Sequence, residues 1–122
     1  MASISHNHIV TMNRGDDFSF VFNVPDNIPL ESYSLSDKDI LYVGVMEPNS
    51  SFEDALIRKT FTNANAKDNG IEISFDTNDT INLLPGLYYM QIKLRKYLDT
   101  EDGIDKYSTT TVLGKTRFII LD

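Results

Sequence analysis

The 122-residue sequence has no cysteine, no tryptophan, two histidines and four prolines. Without cysteine, disulfides and thiolate metal clusters are excluded. Cross-links are not needed either, because a chain of this length buries roughly two-thirds of its unfolded surface in a single domain, here taken as residues 1–122. Positive charge is also scarce: 11 lysines and arginines face 18 aspartates and glutamates, for a net charge of −7 and an isoelectric point near 4.6. That balance opposes attraction to phosphate backbones and argues against nucleic acid as a partner. The one compact basic group, Lys93, Arg95 and Lys96, reads as a solvated strand face. No apolar run approaches the roughly 18 residues a membrane helix requires. Met1 to Met12 lacks a basic end followed by an apolar stretch. The expectation is a soluble protein without membrane association.

What is present is two-residue periodicity. Phe18, Phe20, Phe22 and Val24 alternate with more polar neighbours after the Asn13-Arg14-Gly15-Asp16 turn signal, as a half-buried strand does. Ile40 to Met46 is apolar on both sides, the pattern of a strand covered on both faces or lying at a subunit contact. Leu56 to Thr62 is interrupted by Arg58, Lys59 and Thr60 and reads as a strand near an edge. Ile71, Ile73 and Phe75 alternate with Glu72, Ser74 and Asp76; Tyr88, Met90, Ile92 and Leu94 alternate with Tyr89, Gln91, Lys93 and Arg95. Between these two strands stands Leu84-Pro85-Gly86-Leu87-Tyr88, the pattern of a tyrosine corner, whose hydroxyl bonds back to the corner's backbone. Tyr97 to Gly103 reads as a hairpin tip, Lys106 to Leu113 as its return strand, Gly114 as a bend or bulge, and Arg117 to Leu121 as the closing strand. Pro25 to Asp37 is a connecting loop, and Asp76 to Thr80 caps one turn of helix. The expected fold is all-β, an Ig-like antiparallel β-sandwich of about seven to eight strands with a tyrosine corner at Leu84, Pro85, Gly86 and Tyr88.

Catalysis needs an activated nucleophile, an acid/base pair or a metal assembled from several strands, and the candidates are thin. His6 and His8 share one side of an extended chain but lack a third metal ligand nearby. Asp99, Glu101, Asp102 and Asp105 offer oxygen ligands, yet the glycine is not at the offset a calcium loop requires. Arg14-Gly15-Asp16 matches a short adhesion tripeptide, which the adjacent strand explains as a turn. Asn49-Ser50-Ser51 and Asn78-Asp79-Thr80 match the glycosylation sequon, which acts only in a glycosylating secretory pathway that nothing in the sequence indicates. The expectation is no enzyme, no cofactor and no metal.

The residues resemble a family. Arg14-Gly15-Asp16 leading into Phe18-x-Phe20-x-Phe22, then Gly70-Ile71-x-Ile73-x-Phe75, Leu84-Pro85-Gly86-x-Tyr88-Tyr89 and finally Thr111-x-Leu113-Gly114-x-x-x-Phe118 are similar to the N-terminal domain of bacteriophage baseplate upper proteins and related Ig-like virion modules. The resemblance implies a virion structural protein of tail, baseplate, neck or capsid surface. Such a protein is assembled in the bacterial host cytoplasm, present in many copies or as a homo-oligomer, and bound to other phage structural proteins; no catalytic residues carry over. Leu41, Tyr42, Val43, Val45 and Tyr89 are the expected contact residues. The alternative function is a carbohydrate-binding or host-adhesion module, for which Tyr89, Tyr97 and Tyr107 are available to stack on sugar rings.

Overall fold

The structure is a computed structural model that describes residues 3–4, 8–23, 37–67 and 70–122. Nine strands and one α-helical turn follow in chain order among the described residues: β1 (Ser3–Ile4), β2 (Val10–Asn13), β3 (Phe18–Phe22), β4 (Ile40–Met46), β5 (Ile57–Phe61), β6 (Ala66–Lys67), β7 (Gly70–Phe75), α1 (Thr77–Thr80), β8 (Gly86–Glu101) and β9 (Ile104–Leu121), with short 3-10 turns at Phe52–Asp54 and Asn63–Asn65. Six strands form one sheet in the order β1-β2-β9-β8-β4-β5, and three form the other in the order β3-β7-β6. The result is an all-β, Ig-like sandwich.

The alternation explains how the two sheets meet. Met90, Ile92 and Leu94 from β8, Leu41, Val43 and Val45 from β4, and Val10 and Met12 from β2 are almost wholly buried, as are Ile71, Ile73 and Phe75 of β7 and Phe22 of β3. Each set lies on one parity of its strand, so a single apolar layer fills the space between the sheets. Phe75 of β7 and Phe118 of β9 meet edge to face across that layer, with ring centroids 5.1 Å apart.

Three expectations are corrected. The sandwich is not purely antiparallel, because β2 runs parallel to the end of β9, with Val10 opposite Phe118 and Asn13 opposite Leu121. The return strand and the closing strand are one strand, β9, and irregularities in its register with β8 fall between Met90 and Ile92, between Ile92 and Lys93, and between Tyr97 and Asp99, where Leu98 is the extra residue. Gly114 therefore marks a bulge within a continuous strand. The hairpin tip is also far shorter than Tyr97 to Gly103. Ladder pairing runs on through Tyr97–Tyr107, Thr100–Asp105 and Glu101–Ile104, and the turn is Asp102-Gly103 alone, with φ of 54° and 77°. Two successive positive φ values are what a tight two-residue hairpin turn requires, and an Asp-Gly pair supplies them. Val24, Pro25 to Ser36 of the connecting loop, His6, and Asp68-Asn69 lie outside the described residues.

The short connections are held by specific bonds. Asp76 caps α1 by accepting from the Asn78 amide at 3.0 Å, while Asp79 accepts from the Asp76 amide at 2.8 Å. Buried Thr80 at the end of α1 accepts from the Gly15 amide at 2.8 Å, and Asp17 accepts from the Thr77 amide at 3.0 Å. The Arg14-Gly15-Asp16 turn is thus pinned to the helical turn, and Arg14 pairs with Asp122 at 2.8 Å. On the outer face of β4, the segment Phe52–Asp54 folds back over Gly44. A Cβ at Gly44 would stand 2.8 Å from the Phe52 ring and 3.3 Å from the Ala55 methyl. Gly44→Ala is expected to push Phe52 off the sheet and destabilise by about 1–3 kcal/mol, read as a lowered midpoint in urea unfolding followed by circular dichroism. An unchanged midpoint would mean that Phe52 does not pack there in solution.

Candidate interaction surface

The expected contact residues do not share a surface. Leu41, Val43 and Val45 have at most 1% of their surface exposed and cannot meet a partner. The reason is position: β4 is hydrogen-bonded to β8 on one side and β5 on the other, so it is an interior strand whose inward parity belongs to the core. Tyr42 and Tyr89 have the opposite parity and are half-buried on the outer face, opposite Lys93 and Arg117 respectively.

The corner residues do come together. The Tyr88 hydroxyl donates to the Leu84 carbonyl at 2.6 Å, the bond that defines a tyrosine corner. Burial raises the Tyr88 phenol above its ordinary value of 10.0, with the nearby Glu47 carboxylate adding to the rise. The corner is structural, because the hydroxyl is spent on the backbone and the ring faces the core.

Beside the corner, the outer face of the six-stranded sheet is apolar where the strand pattern calls for polar residues. Leu87 of β8 stands directly opposite Ile119 of β9, and Leu121 lies two residues farther along the same face. Leu87 and Leu121 are 41% and 42% exposed, and Leu84 in the corner itself is 77% exposed. Tyr89 continues this face along β8. The sequence carried a signal for the patch that alternation alone did not weigh: Leu87 and Ile119 are apolar on the parity opposite to Tyr88 and Phe118.

At the other end, β8 and β9 extend as an arm past their neighbours, since the last residue of β4 to pair with β8 is Ile40, opposite Arg95. The outer face of the arm gathers aromatic rings and cations. Tyr97 and Tyr107 lie edge to face at 5.8 Å, the Lys38 ammonium sits 4.4 Å from the centre of the Tyr97 ring, and the Arg95 guanidinium sits 3.8 Å from that of Tyr107. Desolvation pulls the Lys38 ammonium down while Asp105 and Tyr97 push it up, and the net effect is a raised pKa. Tyr97 also hydrogen-bonds Thr100, which donates to Asp105 at 2.6 Å. Tyr97 and Tyr107, two of the three tyrosines expected to stack on sugars, therefore already carry a cation on one face.

The remaining candidates disperse. His8 packs edge to face on Phe22. Asp105 is bound by Thr100 and Lys38, and Glu101 by Lys106 at 2.8 Å. Among the described residues, no three His, Asp or Glu side chains are placed to hold a metal ion. Asn49 occupies the turn after β4 with φ of 70°, and Asn78 lies within α1. Of the basic trio, Lys93 is stacked on the Phe52 ring at 4.7 Å and Arg95 on Tyr107. No family model matches the sequence, and neither a characterised protein nor a solved structure matches it significantly.

Tyr88→Phe is expected to cost about 0.5–1.5 kcal/mol at neutral pH, the worth of one hydrogen bond. Because the folded phenol pKa is raised, its contribution is fully present below the ordinary value of 10.0 and is lost as pH climbs through the folded value. The difference between wild type and Tyr88→Phe in urea unfolding should accordingly shrink above that pH. A constant difference across the alkaline range would show that the hydroxyl is not what the corner depends on.

Proposed function

We propose that this protein is a bacteriophage virion structural protein that works by protein-protein assembly in many copies. The observation that carries the assembly reading is the apolar patch of exposed Leu87 and Leu121 around half-buried Ile119, beside Tyr89, on a chain whose net charge of −7 otherwise favours solvation. Apolar side chains gathered on one sheet face mark a protein contact more often than a solvated surface. What points to a virion is the resemblance of the turn, corner and closing-strand residues to baseplate-type Ig-like modules. The chemistry of the site agrees with a module that binds rather than reacts, because its exposed groups are aliphatic and aromatic, with polar residues around them. Sugar stacking has less in its favour, given the cations already lying on Tyr97 and Tyr107.

The test is mass spectrometry of purified particles from a host in which the coding region is expressed with its phage. The wild-type chain is expected in the particles at stoichiometric level, and Leu87→Glu with Leu121→Glu is expected to lower its incorporation at least tenfold with an unchanged unfolding midpoint. Absence of the wild-type chain from the particles would overturn the virion reading. Full incorporation of the double variant would remove the patch from it.

A further inference from the structure

The two edges of the β8–β9 arm differ in a way that the sandwich itself does not require. Along β8, the edge beyond β4 carries Lys96, Asp99 and Glu101, and it is partly taken by the residues before β4: buried Asp39 accepts from the Tyr97 amide at 2.7 Å, and Lys38 lies against Tyr97 and Asp105. Along β9, the second edge is paired by β2 only from Phe118 to Leu121. Among the described residues nothing pairs with that edge from Ile104 to Arg117. Within it, Tyr107-Ser108-Thr109-Thr110-Thr111 has no charge and no proline, and the irregularities on β9 begin only past Thr111. Ser108 to Thr111 are exposed. Three successive threonines are strong strand formers.

Natural sheet edges are protected by charge, proline, bulges or shortness. The other outer edges of the larger sheet follow that rule: β5 carries Arg58 and Lys59, and β1 is two residues long. Tyr107–Thr111 has none of these protections.

We propose that Tyr107–Thr111 is a strand-addition surface occupied by the same stretch of a second copy of this chain, antiparallel and two-fold symmetric about Thr109. Charge selects the occupant. Two chains of net charge −7 repel over most of their surfaces, and an uncharged strand lets the backbones meet without opposing like charges. With Thr109 opposite Thr109, Tyr107 faces Thr111 of the second copy. Thr109 and Phe118 are seven rungs apart, since their β8 partners are Arg95 and Tyr88, so the start of each β2 falls two rungs past Ile104, where the other β9 begins. The contact is isologous, and it joins two six-stranded sheets into one continuous sheet.

This deepens the multicopy-assembly reading and rests on it, but its test is made on the isolated chain. Light scattering of the full-length protein is expected to give twice 13.9 kDa at high concentration and to fall towards the monomer mass on dilution. Amide exchange at Tyr107–Thr111 should slow as concentration rises, while exchange in β4 stays the same. Thr109→Lys and Thr109→Glu place like charges opposite each other at the two-fold axis, so each alone should be monomeric. The lysine variant should dissociate more completely, since Arg95 lies across the ladder from Thr109 and partly offsets a glutamate. An equimolar mixture of the two variants should recover the dimer.

A wild-type chain that stays monomeric at millimolar concentration overturns the pairing, as does a Thr109→Lys chain that dimerises like wild type. Loss of the dimer in Leu87→Glu with retention in Thr109→Lys overturns it too, and moves the contact to the apolar patch. A monomeric chain still incorporated into particles would reject the edge pairing alone, whereas a dimer absent from particles would reject the virion reading alone.

Discussion

The β8–β9 ladder is the constraint on which the other elements depend. Its register sets the parity of Tyr88, Met90, Ile92 and Leu94 on one strand and of Phe118 and Ile120 on the other, and a slip of one residue would turn both rows to solvent. On its two sides it templates β4 and β2, which bring Leu41, Val43, Val45, Val10 and Met12 to the same layer. The smaller sheet closes that layer from the opposite side, with Phe75 set against Phe118. Because β2 and β9 come from opposite ends of the chain, their parallel pairing closes the longest loop in the molecule. The bond from Arg14 to Asp122 and the amide of Arg14 on the Leu121 carbonyl lie at the same closure.

The ladder's length separates two mechanical regimes. From Gly86 to Leu94 it is covered by the smaller sheet on its inner face, and the side chains there are fixed by close packing. Past Arg95, among the described residues, it has only itself and the residues just before β4. The polar contacts there, Asp39 to the Tyr97 amide, Lys38 on Tyr97 and Arg95 on Tyr107, stand where the core would otherwise be. Exposed pairs of this kind contribute little each; buried Asp39 has more at stake, because an acceptor removed from water must keep its donor. The arm is therefore stiffened along its β8 side and, among the described residues, left unpaired along its β9 side.

Most of the fold was legible in residue order. Alternation located β3, β4, β5 and β7 and the start of β8 to within a residue or two, and the Leu84-Pro85-Gly86-x-Tyr88 run identified the corner whose bond is present at 2.6 Å. What alternation could not resolve was continuity and exposure. Bulges near Gly114 and Leu98 shift the parity of the ladder, so a pattern-based reading ends a strand where the backbone carries on. Leu41, Val43 and Val45 were ambiguous for another reason: an apolar run looks alike whether the covering layer is the same chain or a partner. Leu87, Ile119 and Leu121 passed unweighed because each sits singly among residues with a clear inward parity, and only cross-strand register makes them neighbours.

The two exposed features point in different directions, and that bears on how an assembly could be built. The Leu87–Ile119–Leu121 patch lies on a sheet face beside the corner, whereas Tyr107–Thr111 is a sheet edge on the arm at the far end of the same ladder. A face contact buries side chains and can be made with any surface of complementary shape; an edge contact spends backbone groups and demands another strand. Occupying one leaves the other open. A chain that pairs with its copy through the arm would therefore present two corner patches at opposite ends of a joined sheet. Such a pair would meet a third surface with two points of attachment, so that modest contacts at each patch would combine through effective concentration. This separation is a property of the long hairpin, since a β8–β9 turn placed near Tyr97 would have left no open strand beyond the sandwich.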